Sequence, residues 1–378
     1  MTEQRIKFDL PIPEDVKAIA KLFKKNKFQL LIVGGAIRDS ILGKPIKDYD
    51  LTTDAIPDKV EEILNKGGYR TLPTGKAFGV INVFTNTDEY EIATFRSETY
   101  SDKDKRRPDS VSFSNIVSDS MRRDLTCNAL YYDIDKKEII DLVGGYNDIK
   151  NGIVRTVGNP IDRFNEDKLR ILRSLRFSAR FGDKLDSTID IALKQDASLD
   201  GISGERIRDE FIKGLNSAKS QKYFLDLLDK YGLFKWVFKD LNVDRNSFSN
   251  NNDYIILLAR ILKNNNIDIL KKKLNELKYS VDEIKSITFL IAMLKLDINT
   301  AILLKKAQQN AGVTPNQIRE FCKLEGVDNK LLNAFEKFRL TVSGQEVMDD
   351  LGIKSGPEIG KAINKIETDN FKKILNSI

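Results

Sequence analysis

The chain has 378 residues, 41% of them apolar and 31% charged, with a net charge of +6, and it is long enough to bury more than one core. It contains no histidine, which excludes Ser-His-Asp and Cys-His triads, histidine-ligated metals and histidine phosphohydrolase sites. Cys127 and Cys322 are too few for a disulfide framework or a thiolate zinc site, so the chemistry must rest on carboxylates, Lys, Arg, Tyr and backbone groups.

The stretch MTEQRIKFDLPIPED lacks the basic-then-apolar order of a signal peptide, and no run approaches the roughly 18 apolar residues of a membrane span. A soluble, cytoplasmic protein without membrane contact is expected. Residues 13–25 and 58–66 read as helices, and 29–33, 80–85, 91–95, 129–133 and 138–142 as strands, which makes a mixed α/β unit up to about residue 150. From Asp162 onward the pattern is almost wholly helical, with Asp162, Gly182, Gly204, Gly232 and the asparagines at 250–252 as caps and stops. The fold class is therefore α+β, and each cysteine is expected to be a small buried residue. Charge divides unevenly: residues 1–200 hold 33 Lys+Arg against 33 Asp+Glu, and residues 201–378 hold 29 against 23. A weakly basic surface that meets a polyanion fits this balance, as does a set of Lys-rich helices that merely solvate an outer face.

Strand 29–33 leads into Gly34-Gly35, where missing side chains let a polyphosphate approach backbone N–H groups at the start of the next helix. Arg38, one turn into that helix, can bind the same phosphates; an ordinary strand–turn–helix with a surface arginine has the same spelling. Asp48-Tyr49-Asp50 follows closely. On a β-strand the period of two sends both carboxylates to one face, where they can share a hard cation such as Mg²⁺. Paired acids beside a phosphate turn suit nucleotidyl transfer, which needs one metal to activate a hydroxyl and another to hold the triphosphate. Glu91, at the start of another strand, is a candidate third carboxylate or simply a solvent-exposed strand end.

Residues 98–110 are too polar and punctuated for a core and read as a mobile loop beside the site. In Arg122-Arg123-Asp124-Leu125-Thr126-Cys127-Asn128, Arg123 is a candidate for a triphosphate oxygen, and Asp124 and Asn128 suit ribose hydroxyls; a helix start with Asp124 as N-cap is the plain alternative. Along 166–176, Asp167, Arg170, Arg173 and Arg176 recur every third residue on one helical face, with Leu169, Leu172 and Leu175 behind. Asp167 can accept from an exocyclic amino group while Arg170 donates to ring or carbonyl acceptors, so the pair can imitate a Watson–Crick edge. A salt-bridge ladder accounts for Asp167 and Arg170 but names no partner for Arg173 and Arg176. Near the C-terminus, Gly356-Pro357 reads as a turn into a helix whose free N–H groups can accept an RNA phosphate, or as a plain capped helix.

Taken in order, GGAIRDSILGKPIKDYDLTTDA, TGKAFGVINV, RRDLTCNALYYD, DRFNEDKLRILRSLRFSARFG and ISGERIRDE resemble the motifs of the class II tRNA nucleotidyltransferase and bacterial poly(A) polymerase family, over about the first 215 residues. The resemblance implies a catalytic head with a small mixed sheet at 1–147, a helical neck with the nucleotide-selecting helix at 148–215, a helical body at 216–300 and a tRNA-binding helical tail at 301–378. It implies that Asp48 and Asp50 are catalytic and hold Mg²⁺. Gly34, Gly35, Arg38 and Arg123 would meet the nucleotide's phosphates, and Asp124 and Asn128 its ribose. Asp167 and Arg170 would select CTP and then ATP, with Arg173 and Arg176 completing the pocket. The segments 341–348 and 351–360 resemble the tail of CCA-adding enzymes, and the long basic C-terminal extension common in poly(A) polymerases is not seen. Addition of CCA to tRNA 3′ ends from CTP and ATP is the expectation, ahead of CC-only, A-only or poly(A) addition. A non-catalytic RNA clamp is the alternative of another class, and it has no need of paired acids in a phosphate site. Oligomeric state is not legible.

Overall fold

The computed structural model describes residues 3–99, 110–181, 184–352 and 356–378. The chain forms two compact units, one comprising Met1–Ile202 with Ser217–Lys219 and the other Ser203–Asn216 with Ser220–Ile378. The first crossing, between Ile202 and Ser203, falls within 148–215, the stretch read as a neck, and the others lie just after it.

The first unit opens with β1 (Gln4–Lys7), α1 (Glu14–Lys25), β2 (Leu30–Val33), α2 (Gly35–Ile41), β3 (Asp50–Thr53) and α3 (Pro57–Lys66). It continues with β4 (Arg70–Leu72), β5 (Val80–Phe84), β6 (Glu89–Thr94), β7 (Arg96–Thr99), β8 (Ser110–Phe113) and α4 (Ile116–Met121). Next come β9 (Leu130–Asp133), β10 (Glu138–Asp141), α5 (Gly145–Lys150), β11 (Ile153–Val154), α6 (Pro160–Glu166), α7 (Leu169–Phe181), β12 (Lys184–Leu185) and α8 (Ser187–Gln195). Eight strands make one mixed sheet in the order β1-β10-β9-β2-β3-β6-β5-β4. Within it β3 and β6 run parallel and the other pairs antiparallel.

Position in the sheet follows from residue type. The continuous apolar run Leu30-Leu31-Ile32-Val33 is buried throughout, as a strand covered on both faces must be, and β2 accordingly sits inside the order. Arg5 and Lys7 place charge on β1, an edge strand, and discourage pairing with another chain. Val16, Ile19 and Phe23 line one side of α1, which packs against β2 and α3. Leu31, Val33, Phe95, Tyr131, Ile140 and Leu142 form a buried cluster of the sheet core, each contributing about 1.5–3 kcal/mol on burial.

The second unit is helical: α9 (Gly204–Ser217), α10 (Gln221–Lys230), α11 (Phe234–Val237), α12 (Tyr254–Leu262), α13 (Ile267–Glu276), α14 (Val281–Ala292), α15 (Ala301–Gln308), α16 (Pro315–Leu324), α17 (Asn329–Lys337), α18 (Gly344–Leu351) and α19 (Pro357–Ser377). Its starts are strongly written. Ser280 with Glu283, Thr314 with Gln317, and Ser343 with Glu346 form reciprocal capping boxes. Stacked and edge-on contacts among Phe211, Phe224, Phe234 and Phe238 knit α9, α10 and α11.

Two expected signals act differently. Gly204 is the first residue of α9, not a stop. Asp162 lies inside α6, because Asn159 caps that helix by accepting from the Ile161 N–H at 2.9 Å and Pro160 takes the first turn, where no donor is needed. Gly232, at φ +65°, does end α10, and the asparagines at 250–252 precede α12, which Asp253 caps. Gly182, residues 100–109 of the polar segment 98–110 and residues 353–355 of the C-terminal motif lie outside the described residues.

Candidate active site

Strand β2 delivers Gly34 beside β3, since Val33 pairs directly with Asp50. Gly34 has φ +74° and ψ −112°, a conformation that strains any residue with a Cβ, and its N–H donates to the Leu130 carbonyl at 3.0 Å. A Cβ there would stand 3.5 Å from the Asn128 carbonyl and 3.9 Å from Arg123 Nη1, so the turn faces those two residues. Arg38 on α2 is not a surface arginine. It is buried, donates to both Asp39 oxygens at 3.0 and 3.1 Å and to Asn128 Oδ1 at 2.5 Å, and lies 5.2 Å from the Phe177 ring centre. Cations crowd here: burial and then Arg38 lower the Arg180 pKa, and burial and then Arg180 lower that of Lys44. A polyphosphate would relieve that crowding.

Asp48 does not share a strand with Asp50. Strand β3 begins at Asp50, and Asp48 belongs to the irregular segment after Gly43, where Pro45 offers no backbone donor and the Tyr49 hydroxyl is anchored on the Pro11 carbonyl at 2.5 Å. The period-of-two argument therefore fails, yet the two acids still meet. Burial raises the Asp50 pKa, Asp48 adds to the rise, and Arg123 and Arg38 oppose it. Among the described residues neither carboxylate has a hydrogen-bond or ion-pair partner, whereas Asp39, Asp119 and Asp124 are all paired. Two adjoining free carboxylates fit Mg²⁺, a hard cation that takes one or two acids and fills its remaining positions with water and substrate phosphates. No cluster of three potential metal ligands occurs among the described residues. Glu91, exposed on β6, stands one position before Ile92, the partner of Leu51.

The next segment is built around an acid the sequence reading passed over. Asp119, fully buried on α4, accepts from Arg122 Nη2 at 2.7 Å, Arg123 Nη2 at 3.0 Å and the Tyr131 hydroxyl at 2.7 Å. Burial pushes its pKa up, but Arg123 and Arg122 outweigh that and hold it below the usual carboxylate range. The Arg123 pKa is raised: burial opposes its charge, and Tyr131 and Asp119 more than compensate. Asp124 is no helix cap. The chain makes only a short 3-10 turn at Thr126–Asn128, and Asp124 accepts from the Leu125 N–H at 2.8 Å, Asn128 Nδ2 at 3.2 Å and Arg173 Nε at 2.7 Å. Asn128 thus accepts from Arg38 and donates to Asp124, which fixes its amide orientation. Cys127 is buried beneath, its thiol pushed up to about 12.

The base-reading helix expected across 166–176 is broken at its acidic end. α6 stops at Glu166, Asp167 is extended (φ −148°, ψ 105°), and α7 begins at Leu169, whose N–H donates to Asp167 Oδ1 at 3.0 Å. Asp167 therefore sits before the helix that carries the arginines. Arg170 is buried and held by Glu166 Oε2 at 2.5 Å and the Arg122 carbonyl at 3.1 Å. The partners that the sequence did not supply are now visible: Asp124 for Arg173, and the Phe177 ring, 4.3 Å away, for buried Arg176. Leu172 and Leu175 are buried behind them. Asp119, Tyr131, Glu166 and Phe177 are the contributors that sequence reasoning missed. Asp119, at three and four from Arg122 and Arg123, and Glu166, four before Arg170, left a spacing signal in the sequence; Tyr131 and Phe177 did not.

A strained glycine turn, two unpaired acids and a rank of held guanidiniums thus gather at one mixed sheet, a combination that suits a nucleotidyltransferase. The family described as Poly A polymerase head domain matches residues 30–155, and that described as the probable RNA and SrmB-binding site of polymerase A matches 186–244. The chain is 34% identical to the CCA-adding enzyme of Ligilactobacillus salivarius, over 97% of its own length and 95% of the relative's. It is 32% identical to that of Staphylococcus saprophyticus, over 94% and 93%. Its fold superposes on the Bacillus stearothermophilus CCA-adding enzyme in complex with CTP with a TM-score of 0.75 at 25% identity, covering 96% of this chain and 93% of that one. The Thermotoga maritima CCA-adding enzyme complexed with tRNA_CCA shares the fold at a TM-score of 0.70 and 21% identity, over 98% and 95%. The chain belongs to the CCA-adding enzyme family.

Proposed function

We propose that this enzyme adds CCA to tRNA 3′ ends without a nucleic-acid template, transferring CMP and AMP from CTP and ATP and releasing pyrophosphate. The observation that carries the reading is the free Asp48 and Asp50 pair beside the Gly34 turn, where Asp39, Asp119 and Asp124 are each paired with arginine. Mg²⁺ held by Asp48 and Asp50 would lower the pKa of the tRNA terminal hydroxyl and offset charge on the triphosphate.

The remaining work falls to the chain's own groups. Gly34 and Gly35 admit the phosphates close to the backbone, and Arg38 and Arg123 meet their charge from positions locked by Asp39 and Asp119. Asp124 and Asn128, which hydrogen-bond to each other, turn toward ribose hydroxyls. Cytosine and adenine both present an amino donor beside a ring-nitrogen acceptor, so an accepting Asp167 and a donating Arg170 suit both. Uracil and guanine present a carbonyl beside a ring N–H and meet the pair in the wrong sense. To read a base, Arg170 exchanges its contact with Glu166 for one to the nucleotide, while Arg173 and Arg176 complete the pocket walls. The working divisions are a head at 1–147, a neck at 148–215, a body at 216–300 and a tail at 301–378, the helical parts holding the tRNA. Among the described residues no helix is long and apolar enough to cross a membrane, and the cytoplasm, where tRNA is found, is the proposed location. Replacing Asp48 or Asp50 by Ala tests the reading: incorporation should vanish while tRNA still binds, and equal loss of both would remove the metal role.

A further inference from the structure

The second unit contains a cavity of about 530 Å³ that none of the roles above uses. Its lining includes the cations Lys305, Arg319 and Arg339, the amides of Gln308, Gln309 and Asn316, and one carboxylate, Glu336. Glu336 is already engaged, its Oε1 accepting from Arg319 Nε at 2.9 Å. The other two cations rest on carbonyls. Lys305 Nζ donates to the Phe335 carbonyl at 2.9 Å, and Arg339 Nη1 to the Glu336 and Phe338 carbonyls at 2.5 and 2.9 Å. Burial, and then Arg339, push the Lys305 ammonium down to about 8, with Glu336 offsetting only part. A positive surplus held partly out of water invites an anion. The volume lies in the usual range for a small-molecule site, about 300–1,000 Å³, and three amides give the paired donors and acceptors that a base edge needs.

We propose that this cavity receives one nucleotide of the RNA substrate, its phosphate against Lys305 and Arg339 and its base edge against Gln308, Gln309 and Asn316. The assignment rests on the reading that the enzyme acts on tRNA. It lies outside the matched RNA-binding segment at 186–244 and in the half of the chain that carries the basic excess. A free nucleotide offers the same chemistry from another source.

Asn316→Asp separates binding from folding. Asn316 is the second residue of α16, where an acid is favoured by the helix dipole, so the variant should melt no lower than wild type while adding a negative charge to the lining of a cavity that must take an anion, and replacing an amide of the base edge by a carboxylate. Fluorescence anisotropy of a labelled tRNA lacking CCA, with the full-length enzyme across a salt series, is the readout. Asn316→Asp should weaken binding about fivefold and Arg339→Gln about tenfold, the latter with a salt slope shallower by about one unit. Asn329→Asp, a like charge change at the start of α17 outside the lining, should stay within about twofold. Unchanged tRNA affinity in both cavity variants overturns the proposal, and loss of calorimetric CMP binding in those same variants would assign the cavity to a free nucleotide instead. Because anisotropy needs no catalysis, an enzyme that binds tRNA but adds nothing would refute the functional reading while leaving the cavity test intact.

Discussion

Replacing Asp119 with Asn keeps its shape and removes the negative charge at the centre of the head's arginine cluster. Asp119 is fully shielded, and the side chains it holds, Arg122 and Arg123, are only 17% and 18% exposed, so water can replace little of what is lost. Breaking a buried ion pair by removing one partner costs about 3–5 kcal/mol. The amide keeps an acceptor oxygen, and Arg123 keeps the Asn128 carbonyl at 3.4 Å, which places the expected loss near the lower end, about 3 kcal/mol. Urea unfolding followed by far-UV circular dichroism measures it, because the single tryptophan, Trp236, belongs to the other unit. With a slope of about 2 kcal/mol per molar, the first unit's midpoint should fall by about 1.5 M. The pH dependence carries a sign. The folded pKa of Asp119 lies below its unfolded value, so its contribution is present above the ordinary Asp pKa of about 4 and is lost as pH falls through the folded value. Wild type and variant should therefore converge below about pH 4. The KM for CTP should rise about tenfold as Arg123 loses its anchor. A stability difference below about 0.5 kcal/mol at pH 7, or a gap that widens in acid, would refute the reasoning.

Further outcomes are expected. Asp48→Ala or Asp50→Ala should lower CMP incorporation by at least about a thousandfold while the tRNA Kd stays within about twofold; parallel losses in filter binding and incorporation would contradict a metal role. Asp167→Asn gives the base reader a donor where it had an acceptor, so the ratio of CMP to UMP incorporation should fall about ten- to a hundredfold, and an unaltered ratio would dissociate Asp167 from selection. Cys127 and Cys322 are buried with thiols raised to about 12, so a disulfide reagent at pH 8 should label neither in the native enzyme and both in denaturant. Native labelling of Cys127 would contradict the packing under Asn128.

Strands and helices were legible where burial sets the period. The run at 29–33 and the amphipathic helix at 13–25 appear almost to the residue, because a covered strand and a one-sided helix leave different apolar spacings. β1 escaped notice since an edge strand needs no apolar run. The site was legible as a set of residues but not as a geometry. Asp48 was placed on a strand that starts two residues later, because where β3 begins is decided by a neighbour distant in sequence; Asp167 was placed on a helix that starts after it, because an every-third-residue pattern runs unbroken across the break at Asp167. For Asp48 that neighbour is Val33, which fixes where β3 pairs. For Arg38 a surface arginine was the plain alternative, and the sequence named no partner for Arg173; the burial of Arg38 against Phe177 and Asn128, and the pairing of Arg173 with Asp124, depend on residues the fold brings from separate elements. Asp119 drew no reading, because its spacing from Arg122 and Arg123 also fits a surface ion pair and its exclusion from water, which makes it the anchor of the cluster, is set by the fold.

Product length distinguishes CCA addition from every alternative in one experiment. The enzyme is incubated with Mg²⁺ and tRNAs that lack CCA, end in CC or are complete, with CTP and ATP supplied separately and together. A CCA-adding enzyme should add two residues from CTP alone on the first tRNA, three from both nucleotides, one from ATP alone on the second, and none on the third. Long adenylate tails, growth of the complete tRNA, or no extension of any of them would contradict it.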